Sequence, residues 1–183
     1  MSQANHKFQL RQQLRQRRYD LSIEQVQKHS KIIVENIVNS KLWHRSQHIG
    51  LYLPINNEVD LTALLSTEKT CYIPSVQGAA MQFHCYHEQL ALNITSYGLS
   101  QPKFAVEHKR PQLDLCLMPL LGFDSKGHRL GMGGGYYDRY FDNNQDTVLL
   151  GVAHSVQELE ELPIDPWDVK LHAIITEKRW LTI

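Results

Sequence analysis

Short apolar runs alternate with helix-patterned segments along most of this 183-residue chain, and that alternation narrows its possible folds more than any other feature. Residues 48–55, 70–74, 81–87, 113–121, 147–153 and 171–176 read as strands. Between and before them lie segments with helical spacing. In residues 5–18, Lys7, Arg11, Arg15 and Arg18 recur every three or four positions, which predicts a basic face, with Leu10 and Leu14 on another. A second helix is expected after Ser22, where Gln25 completes a capping-box pattern and Val26, Ile33, Ile37 and Val38 form an apolar stripe. Residues 60–65 suit a short helix, and Ser155 is placed to cap one after the 147–153 run. Residues 98–112, with Pro102 and Pro111, read as an extended loop. The pattern implies an α/β fold with a mostly parallel sheet covered on both faces, in which ligands bind at the carboxyl ends of the strands. The length suits one domain over residues 1–183 with a substantial core.

The densest chemical signal follows the 113–123 run. In Arg129-Leu-Gly-Met-Gly-Gly-Gly-Tyr-Tyr-Asp-Arg139, four glycines fall within five positions and lead into a helix-like segment, residues 136–141. Glycine lets backbone N–H groups approach an anion closely, and a helix N-terminus favours negative charge. Arg129 and Arg139 flank the run and suit phosphate oxygens. Asp138 is a hard oxygen ligand fit for Mg²⁺. The run is neither a Walker A loop, which ends in Lys-Ser/Thr, nor G-x-G-x-x-G, because position 136 is tyrosine. A plain glycine-rich turn is the competing reading; the arginines, paired tyrosines and aspartate favour a nucleotide-phosphate site. Glu58, after its strand, suits either a ligand's N–H groups or a helix start. Asp168 suits either a carboxylate site or a turn.

These residues also carry a resemblance. Met118-Pro-Leu-Leu-Gly-Phe-Asp124 followed by Gly127-x-Arg129-Leu-Gly-x-Gly-x-Gly-Tyr-Tyr-Asp138 resembles the signature of the 5-formyltetrahydrofolate cyclo-ligase (5,10-methenyltetrahydrofolate synthetase) family. Lys7-x-x-x-Arg11, Tyr52-Leu-Pro-x-x-x-Glu58-Val-Asp60 and Leu162-Pro-x-Asp-x-x-Asp168 agree in order and spacing, so the likeness spans nearly the whole chain. The resemblance implies a three-layer α/β/α fold (NagB/RpiA/CoA-transferase-like) with an N-terminal helical pair. It implies a C–N bond-forming ligase that uses ATP and Mg²⁺ to turn 5-formyltetrahydrofolate into 5,10-methenyltetrahydrofolate, releasing ADP and phosphate. By the same likeness, Lys7, Arg11 and Arg129 are catalytic and hold ATP together with Leu130, Gly131, Met132, Gly133, Gly134, Gly135, Tyr136 and Tyr137. Leu53, Glu58, Tyr97, Met132, Gly133, Gly134, Gly135 and Tyr136 bind the folate, and Asp138 and Asp168 hold the metal. Of the two tyrosines, Tyr136 is expected nearer the substrate and Tyr137 in packing. Tyr97 stands where the family usually has tryptophan, and Gly134 where it often has lysine.

Composition sets bounds on the rest. Formal net charge is zero, so no global pull on nucleic acid or membrane is implied. The rival reading, a nucleotide-responsive RNA-binding module built on the basic helix, lacks an RNP-type aromatic motif. Cys71, Cys85 and Cys116 form no C-x-x-C pair, which fits buried packing in a reducing compartment. A polar N-terminus and the absence of any ~20-residue apolar run support neither secretion nor membrane spanning. A cytoplasmic monomer acting on small molecules is expected. The ten histidines show neither H-E-x-x-H nor cysteine partners, and their spacing argues against zinc.

Overall fold

In the computed structural model, which describes residues 3–95, 98–143 and 146–183, the apolar runs pair into a seven-stranded sheet. The helices are α1 (Gln3–Tyr19), α2 (Ile23–Val38), α3 (Lys41–Arg45) and α4 (Tyr136–Tyr140). In chain order, the strands are β1 (His48–Gly50), β2 (Thr70–Gln77), β3 (Ala80–Cys85), β4 (Leu92–Ile94), β5 (Ser100–Pro102) and β6 (Leu115–Pro119). They continue with β7 (Gly122–Phe123), β8 (Arg129–Leu130), β9 (Val148–Val152), β10 (Ala173–Ile175) and β11 (Trp180–Thr182). The sheet order is β11-β10-β9-β6-β1-β2-β3. β10, β9, β6, β1 and β2 run parallel, and β11 and β3 close the two edges antiparallel.

The period of two along each strand sorts side chains between two layers. Leu115 and Leu117 of β6 join Ile33 and Ile37 of α2 and Trp43 of α3 on one face. Cys116 and Met118 join Phe83 and Phe141 on the other, where the five-residue α4 and loops form a thin covering layer. Both faces of β6 are therefore buried, which is why its sequence is apolar without alternation. α2 starts as the sequence predicts: the Ser22 hydroxyl accepts from Gln25 N and the Gln25 side chain accepts from Ser22 N.

α1 docks through a third cluster, Leu14 with Leu121, Leu130 and Leu162. Full burial of Leu14 contributes about 2–3 kcal/mol. The contact needs Gly122, where an added Cβ would sit 2.6 Å from Leu14 Cδ1. This corrects the expected split of faces. Lys7, Leu14 and Arg18 are the buried residues of α1, so the leucine shares the stripe of the cations while Arg15 is exposed.

Other boundaries also differ from expectation. β1 ends at Gly50, because Pro54 and the positive φ angles of Asn56 and Asn57 turn the chain out of the sheet. After β9 there is only a 3₁₀ turn, Ser155–Gln157, and His154, not Ser155, is its N-cap residue. The helix stops there because Glu158 bridges to Phe123 and Leu159 N donates to Phe123 O. The 171–176 run is not the last strand, since β11 follows as an antiparallel edge. Within 98–112, β5 pairs with β4. Of the cysteines, Cys71 and Cys116 are buried but Cys85 is exposed.

Candidate active site

The chain winds from β1 outward through β2 and β3 in one direction, then returns to β6 and winds through β9, β10 and β11 in the other. The order reverses between β1 and β6, and such a switch point leaves a crevice at the carboxyl ends of the strands. The 51–61 segment leaves β1 there, and the β7–β8 hairpin and glycine loop leave β6 there. A cleft of about 270 Å³ opens beside the loop, lined by Pro119, residues 129–138, Lys7 and Arg11 of α1, and Asp165, Trp167 and Asp168. A larger groove of about 440 Å³ lies between α2 and residues 57–63, where the charged lining is one cation, Lys31, with Glu35 and Asp60.

Among the described residues, none of the N–H groups of residues 131–135 is used in a hydrogen bond within the chain. Five donors thus stand free in a loop where Gly133 and Gly135 have φ of 109° and 62°, a conformation that L side chains resist. Cations surround them. Arg11 Nε donates to Gly131 O at 3.0 Å. Arg129 is buried, and its Nη2 donates to Asp138 Oδ1 at 2.5 Å. Lys7 Nζ, also buried, lies 2.7 Å from Asp165 Oδ2 and 2.8 Å from Asp168 Oδ2. Burial acts to lower the Lys7 pKa, but the hydrogen bonds and charges of both aspartates outweigh it, so the ammonium holds its proton above the usual lysine range.

Asp138 does not cap α4. Gly135 is the N-cap of α4, and Asp138, three residues on, accepts from Arg129 and from Val169 N at 3.1 Å. Asp168 accepts from Asp165 N at 2.8 Å as well as from Lys7, so the turn and the cation share one oxygen. Arg139 departs from expectation. It lies outside the cleft, donating from Nε to Ala79 O at 2.9 Å and from Nη2 to Gly134 O at 2.6 Å, and so braces the loop from behind.

The tyrosines divide. Tyr137 packs edge-on to Phe83 with centroids 6.5 Å apart and lies 6.0 Å beneath the Arg129 guanidinium. Tyr136 borders the cleft, donates its hydroxyl to Gly78 O at 3.1 Å, and occupies the space into which a side chain at 134 would project, where a Cβ would lie 2.5 Å from its ring. Glu58 is buried. Its Oε1 lies 3.3 Å from Arg18 Nη1 and its Oε2 accepts from Ile55 N at 3.1 Å. Burial raises its pKa more than Arg18 and the Ile55 N–H lower it. It starts no helix, because the next one begins at Thr62, whose N–H bonds Asp60. Its charge nonetheless acts on the Tyr137 hydroxyl, which burial first, then Cys116 and Glu58, push well above the usual range. Leu53 is partly buried against the first core layer. Tyr97 lies outside the described residues.

The structure thus gathers Lys7, Arg11, residues 129–138 and Asp168 around one cleft and sets Glu58 behind Tyr137. The reading from sequence gave no part to Asp165, which holds Lys7, or to Arg18, which pairs with Glu58. Asp165 was visible only as a member of Leu162-Pro-x-Asp-x-x-Asp168, and Arg18 only as one more basic residue on α1.

Fold and cleft together define an α/β protein with a cation-lined cleft of free backbone N–H groups at the carboxyl edge of its sheet. The chain belongs to the 5-formyltetrahydrofolate cyclo-ligase family, whose model matches residues 3–177. It is 32% identical to 5-formyltetrahydrofolate cyclo-ligase of Escherichia coli K12, over 91% of this chain and 97% of that protein. The Haemophilus influenzae protein of the same name is 30% identical, over 91% and 95%. Among solved structures, 5,10-methenyltetrahydrofolate synthetase of Aquifex aeolicus superposes with a TM-score of 0.82 at 33% identity, covering 96% of this chain and 92% of that one.

Proposed function

We propose that this protein, as a single 5-formyltetrahydrofolate cyclo-ligase domain, closes 5-formyltetrahydrofolate to 5,10-methenyltetrahydrofolate at the expense of ATP. The observation that carries the nucleotide reading is the row of five unbonded N–H groups at residues 131–135, ringed by Lys7, Arg11 and Arg129. A formamide carbon is a poor electrophile, and its oxygen leaves poorly. Transfer of the γ-phosphoryl to that oxygen, with ADP leaving, makes the carbon electrophilic and the oxygen a phosphate. N10 of the same folate attacks that carbon, loses its proton, and phosphate departs. Holding the two nitrogens about one carbon makes closure unimolecular, an advantage of up to ~7–11 kcal/mol. Phosphoryl transfer calls for positioning and charge neutralisation more than for a protein nucleophile. The loop N–H groups and the three cations supply both. Leu130, Met132 and Tyr136 wall the transfer site, and Leu53, Glu58 and Tyr97 take the folate side.

The residues fit Mg²⁺. Asp138 and Asp168 offer hard oxygens, and the bond from Val169 N to Asp138 brings them to one end of the cleft. In each, one carboxylate oxygen has no donor among the described residues. A bound Mg²⁺ would supply neutralisation of phosphate charge. The cation pairs Arg129–Asp138 and Lys7–Asp168 already fix both aspartates in place. The free thiols Cys71, Cys85 and Cys116 fit a cytoplasmic, reducing setting, and no helix is long and apolar enough to cross a membrane among the described residues.

Purified protein given 5-formyltetrahydrofolate and Mg-ATP should release one ADP per methenyltetrahydrofolate, followed optically. ADP release without the folate product would overturn the assignment. The α1 cations give a sharper comparison, because Arg11 reaches Gly131 while Arg15 is exposed. A charge-assisted contact is worth roughly 1.5–3 kcal/mol, so Arg11→Ala should raise the KM for ATP about tenfold or more, and Arg15→Ala less than about twofold. Equal effects would reduce α1 to a packing element. On the folate side, Glu58→Gln should weaken folate binding about tenfold in calorimetry and leave ATP binding near wild type. Unchanged folate affinity would leave Glu58 as no more than the counter-ion of Arg18.

A further inference from the structure

Three ligand-type side chains that are far apart in sequence meet behind the folate-side segment. His29 comes from α2, His154 from the turn after β9, and Glu177 from the turn after β10. His29 Nδ1 lies 3.1 Å from His154 Nδ1 and 4.0 Å from Glu177 Oε2, and all three ligand atoms fall within 4.8 Å of one another. With Zn–N near 2.0–2.1 Å and Zn–O near 2.0–2.2 Å, a tetrahedral ion sets its ligand atoms about 3.3 Å apart. The observed separations bracket that value. The proton arithmetic is as informative. His154 Nε2 is 3.0 Å from Asn57 O, and a carbonyl only accepts, so Nε2 carries the hydrogen and Nδ1 turns its lone pair into the cluster. A backbone carbonyl on the remote ring nitrogen is how metal-binding histidines are held. Glu177 is braced independently, with Oε2 accepting from Ser155 N at 2.9 Å and Oε1 bonded to the Ser155 hydroxyl. A simple His–His hydrogen bond would need no third, separately anchored carboxylate. His154 is fully buried, the Glu177 side chain nearly so and His29 partly open, so the cluster is most accessible from the His29 side.

We infer that His29, His154 and Glu177 form a binding site for a single Zn²⁺-class divalent ion, separate from the phosphate cleft. Two imidazoles and one carboxylate select a borderline transition ion over Mg²⁺. The ion would tie α2 to the carboxyl ends of β9 and β10. Through His154 and Asn57 O it would also stiffen the turn that carries Glu58, since the Asn57 side chain in turn donates to Arg18 O and Leu21 O. The inference does not depend on the folate activity, because it is read by binding alone.

The test uses chelator-stripped full-length protein titrated with ZnCl₂ in a calorimeter, with melting followed in parallel. One zinc per chain is expected, with a rise in Tm of about 5 °C at saturating zinc. His29→Ala, at a partly exposed helix position, should melt near the wild type without zinc, lose at least ~100-fold in zinc affinity and lose the Tm rise. Glu177→Gln keeps the Ser155 hydroxyl partner and should lose affinity similarly. Co²⁺ bound to the wild type should give the visible bands of a four-coordinate N/O site, absent in His29→Ala. Failure of the wild type to bind zinc would overturn the site. So would zinc bound equally well by His29→Ala and Glu177→Gln, which would assign the ion to other groups such as Cys85 or the Asp138 and Asp168 carboxylates.

Discussion

Arg129→Met is expected to lower kcat/KM for methenyltetrahydrofolate formation by about 10²–10³-fold, the usual cost of removing one fixed charge or donor from a transition state. The guanidinium is nearly inaccessible, pinned between the Tyr137 ring and the Asp138 carboxylate, so it reaches a phosphoryl group without having to be reoriented. Nη2 is engaged by Asp138 and Nε is sealed from the cleft, whereas Nη1 makes no hydrogen bond among the described residues, which leaves it as the unused donor. Arg129→Lys keeps the charge but not the planar fork, and should recover only part of the loss. Initial rates at saturating folate with varied ATP, read beside the melting curve, separate chemistry from folding. An activity within about threefold of wild type would remove Arg129 from the reaction.

The largest expected loss of stability comes from a residue that touches no ligand. Asp124 is fully buried, and its carboxylate accepts from Lys126 N, His128 N and Leu162 N at 2.9, 3.1 and 3.2 Å and from His128 Nδ1 at 2.9 Å. It knits the β7–β8 hairpin to the segment that leads to Asp165 and Asp168. Asp124→Ala strands three backbone donors, which should cost about 3 kcal/mol and lower Tm on the order of 6–12 °C. Burial alone would raise the Asp124 pKa, but His128 and the N–H groups outweigh it and hold it below the usual carboxylate range. The unfolded chain therefore takes up the proton first. The stabilisation is fully present above a pH of about 4 and is lost as pH falls through the depressed folded value. Urea titrations should show the gap between wild type and variant narrowing on acidification. A constant gap would mean that the loss is one of shape rather than of charge.

What could be read in the sequence was what is decided locally. The Ser22–Gln25 capping box, the apolar run of β6 and the glycine–tyrosine–aspartate run each depend on neighbours a few residues away, and each stands where expected. Errors gathered where a distant partner decides. Helical spacing does put Leu14, seven residues on, on the face of Lys7; what it could not tell is that this face is the buried one, because Gly122 makes room for Leu14 from 108 positions away. Arg139 looked equivalent to Arg129, but Ala79, on the β2–β3 turn, drew it out of the cleft. Ser155 promised a helix, and the Phe123 edge took the backbone into a bridge instead. The His29–His154–Glu177 cluster had no signature at all, since the ligand rules of spacing apply only within one local element.

The clasp between Lys7 and the pair Asp165 and Asp168 has a consequence in time as well as in space. These contacts span 158 and 161 residues, and the one from Arg11 to Gly131 spans 120. A growing chain emerges amino end first, so α1 is made long before anything exists for its cations to meet. Until the acidic segment appears Lys7 lacks both its carboxylate partners, and until the loop at 131–135 appears Arg11 lacks Gly131 O. The cleft is therefore completed only once Asp165 and Asp168 have been made, 158 and 161 positions after Lys7. Loop closure over such distances is slow and entropically costly, so docking of Lys7 and Arg11 is expected among the late steps of folding. A ligand that bridges the glycine loop and α1 would then hold the first helix to a segment 120 residues away, acting on the folded molecule as a removable cross-link.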